Sequence, residues 1–202
     1  NFKKKFGQNF LKDKNILKKI VSLSGITKED LVIEIGTGEG DLTSIISEKA
    51  KYVLTYEIDC DLEETLKNKF QNTNVILNFK DFLKTNLKED INNFVYNKIY
   101  VVANIPYYIT TSIIMKFVDE DINIDSMVLL MQKEVGEKLV DTKNTATKII
   151  YEYFFDITKE FIIKKELFYP VPKVDSVILK FYRKDYKKLN KATFKNFIYD
   201  CF

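Results

Sequence analysis

The residues best suited to chemistry in this chain are an amide, a proline and an aromatic ring that follow one apolar run. Asn104, Pro106 and Tyr107 come directly after the run 99–103. An amide beside a fixed turn and an aromatic ring can hold a planar, nitrogen-bearing ring by hydrogen bonds and by stacking. The stretch 104–107 therefore indicates a substrate pocket at the carboxyl end of a strand. An ordinary strand exit with a surface tyrosine is the alternative.

Three of the six glycines mark a second candidate site. Gly36, Gly38 and Gly40 lie in one loop between the apolar run 31–35 and a helical pattern. Glycines at such a place let the backbone approach a ligand closely. Their G-x-G-x-G spacing differs from the G-x-G-x-x-G fingerprint of dinucleotide-binding proteins. The loop therefore predicts a ligand close to the backbone, with a merely tight turn as the alternative.

Carboxylates follow the next two β-type runs. Glu57 ends the second run, 21 residues after Gly36, and its two oxygens can accept both hydroxyls of a ribose. Asp81 and Phe82 follow the third run and offer an acceptor for an exocyclic amine and a ring for an adenine. As an ordered series of strand ends, these residues predict a nucleoside cofactor, most simply S-adenosylmethionine. Taken singly, Glu57 would also fit a solvated carboxylate, and Asp81 a helix cap.

The composition excludes several kinds of enzyme. The chain has no histidine, and its two cysteines, Cys60 and Cys201, form no C-x-x-C pattern. A nucleophile activated by histidine, a histidine general base and the usual zinc site are therefore ruled out, and we expect no metal. The chemistry must instead depend on positioning and on a bound cofactor.

Positive charge is concentrated at the two ends of the chain. Residues 1–20 carry a net charge of +6 and residues 180–202 a net charge of +5, so the middle carries −8 of the total of +3. Basic ends of this kind predict contacts with a polyanion, with solvated surface lysines as the alternative. No apolar run approaches the roughly 20 residues that span a bilayer, and no signal peptide is indicated. We expect a soluble, cytoplasmic protein.

Short β-type runs alternate with helical patterns, which predicts an α/β fold with a mostly parallel sheet. The predicted strands are 31–35, 52–57, 75–78, 98–103 and 127–131, with a late antiparallel strand at 177–182. The predicted helices are 14–24 behind Asp13 as N-cap, 41–49, a helix to residue 70 behind a capping box of Asp61 and Glu64, 111–118, 133–140, 147–155, and one starting at 191. With 202 residues, one main domain is expected.

Five motifs together resemble the ribosomal RNA adenine N6-methyltransferase family. They are F-G-Q-N-F-L at 6–11, E-I-G-T-G-E-G at 34–40, E-I-D at 57–59, N-I-P-Y at 104–107 and F-Y-P-V-P-K-V-D-S at 168–176. The match extends over nearly the whole chain. It implies a Rossmann-like S-adenosylmethionine-dependent methyltransferase domain at 1–185, with helices on both faces of the sheet. Residues 186–202 would begin a small C-terminal helical domain that contacts RNA and is truncated here.

The resemblance also implies roles for individual residues. The cofactor would contact Asn9, Leu11, Gly36, Gly38, Glu57, Asp81, Phe82 and Asn104. The target adenine would be held by Asn104, the Pro106 carbonyl, Tyr107 and Phe168. In such a site hydrogen-bond acceptors draw the adenine N6 toward a tetrahedral geometry, so no general base is needed during the transfer.

The resemblance leaves two branches of the family open. One dimethylates two adjacent adenines near the 3′ end of small-subunit rRNA during ribosome maturation, and the other confers macrolide resistance by methylating one adenine of large-subunit rRNA. The segments 132–135 and 172–176 favour the first branch, although the loop 140–146 is shorter than is usual there. We expect the partner to be rRNA in an immature small subunit and the protein to be a monomer. A non-catalytic RNA-binding or transcription-assisting relative and a small-molecule or DNA adenine methyltransferase remain as alternatives.

Overall fold

The computed structural model describes residues 9–104, 109–140, 145–185 and 191–201, without the side chains of 191 and 192. The predicted site residues Pro106 and Tyr107 therefore lie outside the described residues. So do most of the short loop 140–146 and the start of the predicted second domain at 186–190. Within the described ranges, no helix is both long and apolar enough to cross a membrane.

Among the described residues, the main sheet has seven strands and a second sheet has two. The strands are β1 (Phe10–Leu11), β2 (Leu31–Ile35), β3 (Tyr52–Glu57), β4 (Val75–Phe79), β5 (Ile99–Asn104), β6 (Ser126–Gln132), β7 (Phe155–Ile163), β8 (Phe168–Tyr169) and β9 (Ser176–Arg183). The strand order in the main sheet is β4-β3-β2-β5-β6-β9-β7, and β1 pairs with β8. The five strands from β2 to β6 run parallel, and β9 is antiparallel to both of its neighbours. The six predicted strands are all present, with ends that differ by no more than a residue.

The order of the strands creates the site. From β2 the chain moves outward through β3 to β4, and it then returns to the other side of β2 to form β5. Between β2 and β5 the winding reverses, so the loops after these two strands diverge and leave a crevice at their carboxyl ends. Ile35 pairs with Ala103 in this register, which places the glycine loop beside Asn104.

The helices cover both faces of the sheet and create two cores. They are α1 (Lys14–Ser24), α2 (Asp41–Ser47), α3 (Glu63–Lys69), α4 (Leu87–Ile91), α5 (Thr110–Asp119), α6 (Lys133–Val140), α7 (Ala146–Phe154) and α8 (Lys191–Asp200). One core includes Leu31, Ile33 and Phe117, and the other includes Val32 and Ile46. Alternate residues of β2 thus point to opposite cores, as the period of two in a strand requires.

The start of α1 confirms the predicted cap. The Asp13 carboxylate accepts hydrogen bonds from the backbone N–H groups of Asn15 and Ile16, at 2.9 and 3.1 Å. These bonds satisfy two donors that have no partner within the helix. The helix ends at Gly25, which takes the left-handed conformation with a φ of 80°. The segment Asn9–Lys12 is thereby connected to the domain through a well-defined first turn.

The structure corrects the capping box that was predicted at Asp61. The carboxylate of Asp59 caps the turn that precedes α3, since it accepts from the backbone N–H of Asp61 at 3.1 Å, and α3 itself has Leu62 as its N-cap with no side-chain hydrogen bond. A 3-10 turn at Cys60–Leu62 then leads into α3. The cap therefore lies two residues earlier than predicted, because the chain adds a tighter turn before the helix begins.

Three strands and one short helix were not predicted. β7 is an edge strand of nine residues that carries Thr158, Lys159 and Glu160 in its middle, and only its pairing with β9 identifies it. β1 and β8 have two residues each, and Leu11 pairs with Phe168 across 157 positions of the sequence. Strands this short are stable only in a tertiary context. The other miss is α4, a helix of five residues.

Candidate active site

A cavity of about 650 Å³ opens at the carboxyl ends of the parallel strands. Its lining includes each of the predicted site residues that the structure describes. These are Asn9, Leu11, Gly36, Gly38, Glu57, Asp81, Phe82, Asn104 and Phe168. The volume lies within the range of about 300–1,000 Å³ that is usual for sites of small molecules and cofactors. The fold therefore brings the N-terminal motif, four strand ends and the motif at 168–176 into one site.

The glycine loop reaches into the cavity with backbone that other residues would not tolerate. Gly36 has a φ of 82°, and a Cβ atom there would lie 3.1 Å from the backbone oxygen of Asn104. Gly38 has a φ of 55°, and a Cβ atom there would lie 2.9 Å from the ring of Phe10. Any side chain would therefore separate the loop from Asn104 or from β1. The loop can instead lie directly against a ligand.

Glu57 is positioned by the backbone on both sides of it. One carboxylate oxygen accepts from the Gly38 N–H at 2.8 Å, and the other accepts from the Asp59 N–H at 2.9 Å. Only 5% of the residue is exposed. Each carboxylate oxygen retains a further lone pair, so the group can still accept two hydroxyls. The predicted ribose acceptor is thus compatible with the structure and also connects β3 to the glycine loop.

Asp81 is a cap in the structure, and its position is also compatible with the predicted adenine acceptor. One carboxylate oxygen accepts from the Leu83 N–H at 3.0 Å and caps the 3-10 turn Phe82–Lys84. The other oxygen lies 3.9 Å from the ammonium of Lys84, and the side chain is 33% exposed. A carboxylate with one oxygen held by the backbone is restricted in direction. Its second oxygen can accept a hydrogen bond from an exocyclic amine in the cavity.

The ring of Phe82 is less available than the sequence suggested. The residue is 5% exposed, and its ring packs edge-on against Tyr56 at 5.1 Å and tilted against Phe117 at 5.6 Å between centroids. The ring is thus largely part of the core below the loop. It can present an edge to the cavity, and its main contribution is to support the backbone of the Asp81 loop.

The orientation of the Asn104 amide depends on the N-terminal motif. The Nδ2 atom of Asn104 donates to the backbone carbonyl of Asn9 at 3.2 Å. With its nitrogen engaged there, the amide presents its Oδ1 atom as an acceptor. The residue is half-buried at the end of β5 and lines the cavity. An acceptor of defined direction therefore stands next to the glycine loop.

The far wall of the cavity is formed by the two-stranded sheet. Phe168 in β8 is 3% exposed and packs into the same core as Leu11, its partner in β1. Tyr169 and Val171 beyond it are 59% and 58% exposed. This wall therefore has a buried ring on its inner side and exposed apolar side chains at its rim. An aromatic or apolar group of a ligand can pack against these side chains.

Some residues at the site were not anticipated from the sequence. Lys12 forms ion pairs with Glu39 and Asp41, so β1 is also connected to the glycine loop by charge. Ile58 and Gln132 line the cavity as well. Both could have been predicted from their positions. Ile58 directly follows Glu57, and Gln132 lies at the carboxyl end of β6, the parallel strand that follows β5. In the part of the chain that the structure describes, no group of three His, Cys, Asp or Glu side chains could hold a metal ion.

Glu34 is the most unusual charged group near the site. It lies in the middle of the sheet with no exposed surface. Burial raises the pKa of Glu34 to about 8, and the nearby Glu57 carboxylate acts in the same direction, while Thr43 and Lys69 oppose the shift. At neutral pH the group therefore carries a proton. A neutral Glu34 adds no second negative charge beside Glu57.

This pKa predicts how stability depends on pH. The folded protein holds the Glu34 proton up to a pH of about 8, whereas the unfolded chain releases it near the ordinary value of 4.5. Between these values the folded state binds more protons, so the free energy of unfolding falls as the pH rises. Glu34→Gln removes this dependence and should gain stability relative to the parent protein, by about a few kcal/mol at pH 8.5.

The measurement is urea unfolding of both proteins at pH 5, 7 and 8.5. The control is Glu64→Gln on the exposed side of α3, which should leave the pH dependence unchanged. A constant difference between Glu34→Gln and the parent protein at all three pH values would contradict the protonated state of Glu34.

Comparisons with known proteins assign the family. The chain matches the family described as ribosomal RNA adenine dimethylase over residues 1–202. The chain belongs to this family. It is 44% identical over 207 aligned residues to a ribosomal RNA small subunit methyltransferase A of Mycoplasmopsis synoviae (strain 53), with 100% of this chain and 78% of that protein covered. The predictions of the family, of an adenine-methylating enzyme and of S-adenosylmethionine as its cofactor are thereby confirmed.

Two solved structures agree in fold with this member of the ribosomal RNA adenine dimethylase family. The first is the 23S rRNA methyltransferase ErmE, with a TM-score of 0.78, 26% identity and coverage of 94% of this chain and 76% of that one. The second is a dimethyladenosine transferase from Plasmodium falciparum, with a TM-score of 0.75, 32% identity and coverage of 87% of this chain and 63% of that one. The predicted Rossmann-like methyltransferase fold is confirmed.

Proposed function

We propose that this chain transfers methyl groups from S-adenosylmethionine to N6 of two adjacent adenines near the 3′ end of small-subunit rRNA. The observation that carries the proposal is the oriented amide of Asn104. Its Oδ1 atom is an acceptor in the cavity that also contains the glycine loop, Glu57 and Asp81. A hydrogen-bond acceptor beside a nucleoside site is what methylation of an amino nitrogen requires.

The residues of the cavity fit this cofactor. Glu57 has free lone pairs for the two ribose hydroxyls, and Asp81 has an oxygen for the adenine amine. The glycine loop packs closely on the Asn104 backbone at Gly36 and, having no side chains at its glycines, can lie directly against the amino-acid tail. When bound, S-adenosylmethionine supplies an electrophilic methyl group on its sulfonium. Leu11 and Asn9 close the site from the N-terminal side.

Asn104 prepares the nucleophile. The lone pair of an adenine N6 is delocalised into the ring, so the amine is a poor nucleophile. Oδ1 of Asn104 accepts a hydrogen bond from the N6 amine. This bond favours a pyramidal nitrogen and stabilises the positive charge that develops there. The Pro106 carbonyl is proposed to accept the second hydrogen, by resemblance to the family. The proton can leave to water afterwards, which agrees with a chain that contains no histidine.

The target base is proposed to lie between two aromatic rings. Phe168 lines the cavity in β8 but is 3% exposed, so it would offer the base only a small part of its ring, and Tyr107, outside the described residues, would provide the opposite face. Stacking of this kind contributes about 1–3 kcal/mol per base in single-stranded nucleic-acid sites. Because the base must enter a cavity, the adenine has to be unpaired or extruded from a helix. A loop of rRNA satisfies this condition.

The choice of the small-subunit branch rests on sequence similarity. The Mycoplasmopsis synoviae relative, which carries the small-subunit name, is 44% identical, whereas ErmE, named for 23S rRNA, is 26% identical. The segments 132–135 and 172–176 point the same way. Methylation of large-subunit rRNA is the second candidate, because the fold agrees with ErmE at a TM-score of 0.78.

The partner is proposed to be rRNA within an immature small subunit in the cytoplasm, bound by a monomer of this protein. Lys14 and Lys18 are exposed on α1, the helix that follows the cavity-lining residues 9–11 in the sequence. Lysines at this place can contact phosphates while the cavity selects the base. The region 186–202 is proposed to begin a second, RNA-contacting domain, and the helix predicted there is present as α8.

The described part of the site argues against the remaining candidates. A non-catalytic RNA-binding relative would not need an oriented amide next to a cofactor cavity. A small-molecule or DNA adenine methyltransferase would not need the N-terminal motif, which here orients Asn104 through Asn9. Neither alternative explains why the segment 168–176 resembles the motif of the rRNA adenine methyltransferases.

The decisive experiment offers two RNA substrates side by side. The protein is incubated with labelled S-adenosylmethionine and either immature small subunits or naked large-subunit rRNA, and methylated adenines are mapped by primer extension. We expect two adjacent dimethylated adenines near the 3′ end of small-subunit rRNA. Label that appears only in large-subunit rRNA would assign the other branch. Absence of label in both, with binding of both RNAs, would favour the non-catalytic alternative.

A further inference from the structure

Two charged side chains at the end of α5 are directed at the loop that carries Asp81. Lys116 lies in the last turn of α5, Glu120 directly follows the helix as its C-cap residue, and the two form an ion pair with side chains that are 10% and 23% exposed. Neither residue lines the cavity, and neither belongs to the motifs that indicate the family. Burying a lysine is costly unless its charge is compensated. The buried charge of Lys116 therefore requires contacts that compensate it.

The Lys116 ammonium holds the carbonyl groups of the loop after Asp81. It donates to the Thr85 carbonyl at 2.6 Å and, more weakly, to the Leu83 carbonyl at 3.5 Å. It also lies 5.7 Å from the centre of the Phe82 ring. One cation thus lies against three of the four residues that follow Asp81. Leu83, like Asp81 and Phe82, lines the cavity.

Glu120 holds the far end of the same loop. One carboxylate oxygen pairs with Lys116, and the other accepts from the backbone N–H of Leu87, the first residue of α4, at 2.8 Å. The ion pair therefore contacts the segment 82–87 at both of its ends. A segment held at both ends by a packed helix has fewer conformations to lose when a ligand binds.

The helix that holds this loop also follows the residues proposed to bind the target base. α5 begins at Thr110, a few residues after Asn104, and Phe117 on the same helix packs against the Phe82 ring. One helix therefore follows the target-base segment in the sequence and packs against the cofactor loop near its end.

We propose that Lys116 and Glu120 are positioning residues that pre-form the adenine-binding loop at Asp81 before the cofactor arrives. This inference rests on the proposed cofactor role of Asp81. Without the pair, the loop occupies its binding geometry for only a fraction of the time. The apparent dissociation constant then rises by the inverse of that fraction. Saturating cofactor restores the geometry, so the rate of the methyl transfer is preserved.

The test is Lys116→Met, which keeps the apolar stem over Phe82 and removes the ammonium. We expect the dissociation constant of S-adenosylhomocysteine, measured by calorimetry, to rise about tenfold, the scale of losing one hydrogen bond from a charged group. The KM for S-adenosylmethionine should rise similarly, and kcat at saturation should change by less than about twofold. The matched control is Lys98→Met, which removes an exposed lysine paired with Asp125 at the opposite end of the sheet and should change neither constant.

A second ligand separates loop positioning from general loosening. The analogue of S-adenosylhomocysteine in which a hydrogen atom replaces the exocyclic amine has only acceptor nitrogens in its purine ring and so cannot donate to Asp81. We expect Lys116→Met to weaken its binding by less than about threefold, against about tenfold for S-adenosylhomocysteine. Equal losses for the two ligands, or no loss for either, would overturn the proposal. Failure of the parent protein to bind S-adenosylhomocysteine would instead refute the proposed cofactor site.

Lys116→Gln is a second variant that tests the same proposal if Lys116→Met does not fold. Its shorter amide can donate to one loop carbonyl and cannot form the ion pair, so we expect intermediate affinity and faster amide hydrogen exchange at 84–87 than in the parent protein. Affinity and exchange equal to those of the parent would show that the loop does not depend on Lys116.

Discussion

Asn104→Ala lowers kcat for methyl transfer to small-subunit rRNA by at least about 10²-fold, the usual scale for losing one key acceptor in the transition state. The physical reason is that alanine offers no oxygen to the N6 hydrogen, so the nitrogen keeps its planar, unreactive geometry. The measurement is transfer from labelled S-adenosylmethionine under saturating cofactor, with binding of S-adenosylhomocysteine measured in parallel. We expect the loss in kcat to exceed any loss in cofactor affinity.

The matched control for this prediction is Asn78→Ala. Asn78 is another asparagine near the end of a parallel strand, and its Nδ2 atom donates to the Thr55 carbonyl at 3.1 Å, away from the cavity lining. Its removal should leave kcat within a few fold of the parent value. Near-normal turnover by Asn104→Ala, together with a normal melting curve, would refute the proposed role of the amide.

Glu57→Ala raises the dissociation constant of S-adenosylhomocysteine by about 10²-fold. Two hydrogen bonds from the ribose to a charged acceptor are lost, each contributing about 1.5–3 kcal/mol, of which a part is recovered by water. The backbone N–H groups of Gly38 and Asp59 also lose their acceptor, so the glycine loop becomes less well ordered. The measurement is calorimetric titration at one pH and salt concentration.

Two further variants define how this loss arises. Glu57→Gln keeps one acceptor oxygen but directs an NH₂ group toward a backbone N–H, and we expect an intermediate loss. Glu63→Ala removes a carboxylate paired with Lys67 on the surface of α3 and should leave the affinity unchanged. An affinity of Glu57→Ala within threefold of the parent value would contradict ribose binding by Glu57.

The strands of the parallel sheet could be predicted because the pattern that indicates each of them lies within a few neighbouring residues. The runs that form β2 and β3 are apolar and bounded by glycine or charged residues, and each strand is present with the predicted ends. β7 could not be predicted, since an edge strand with Lys159 and Glu160 in its middle has no such pattern. It exists because β9 offers a partner with free backbone groups.

The sequence by itself determined the fold class, the order of the strand ends and the types of side chain placed there. Asn104, Glu57 and Asp81 could be assigned to one site because parallel strands end at the same edge of a sheet. The tertiary structure alone decided which way the Asn104 amide faces, because its partner is the carbonyl of Asn9, 95 residues away. It also decided that Lys116 supports the Asp81 loop. Such contacts depend on packing between distant segments, and a pattern in the sequence carries no record of them.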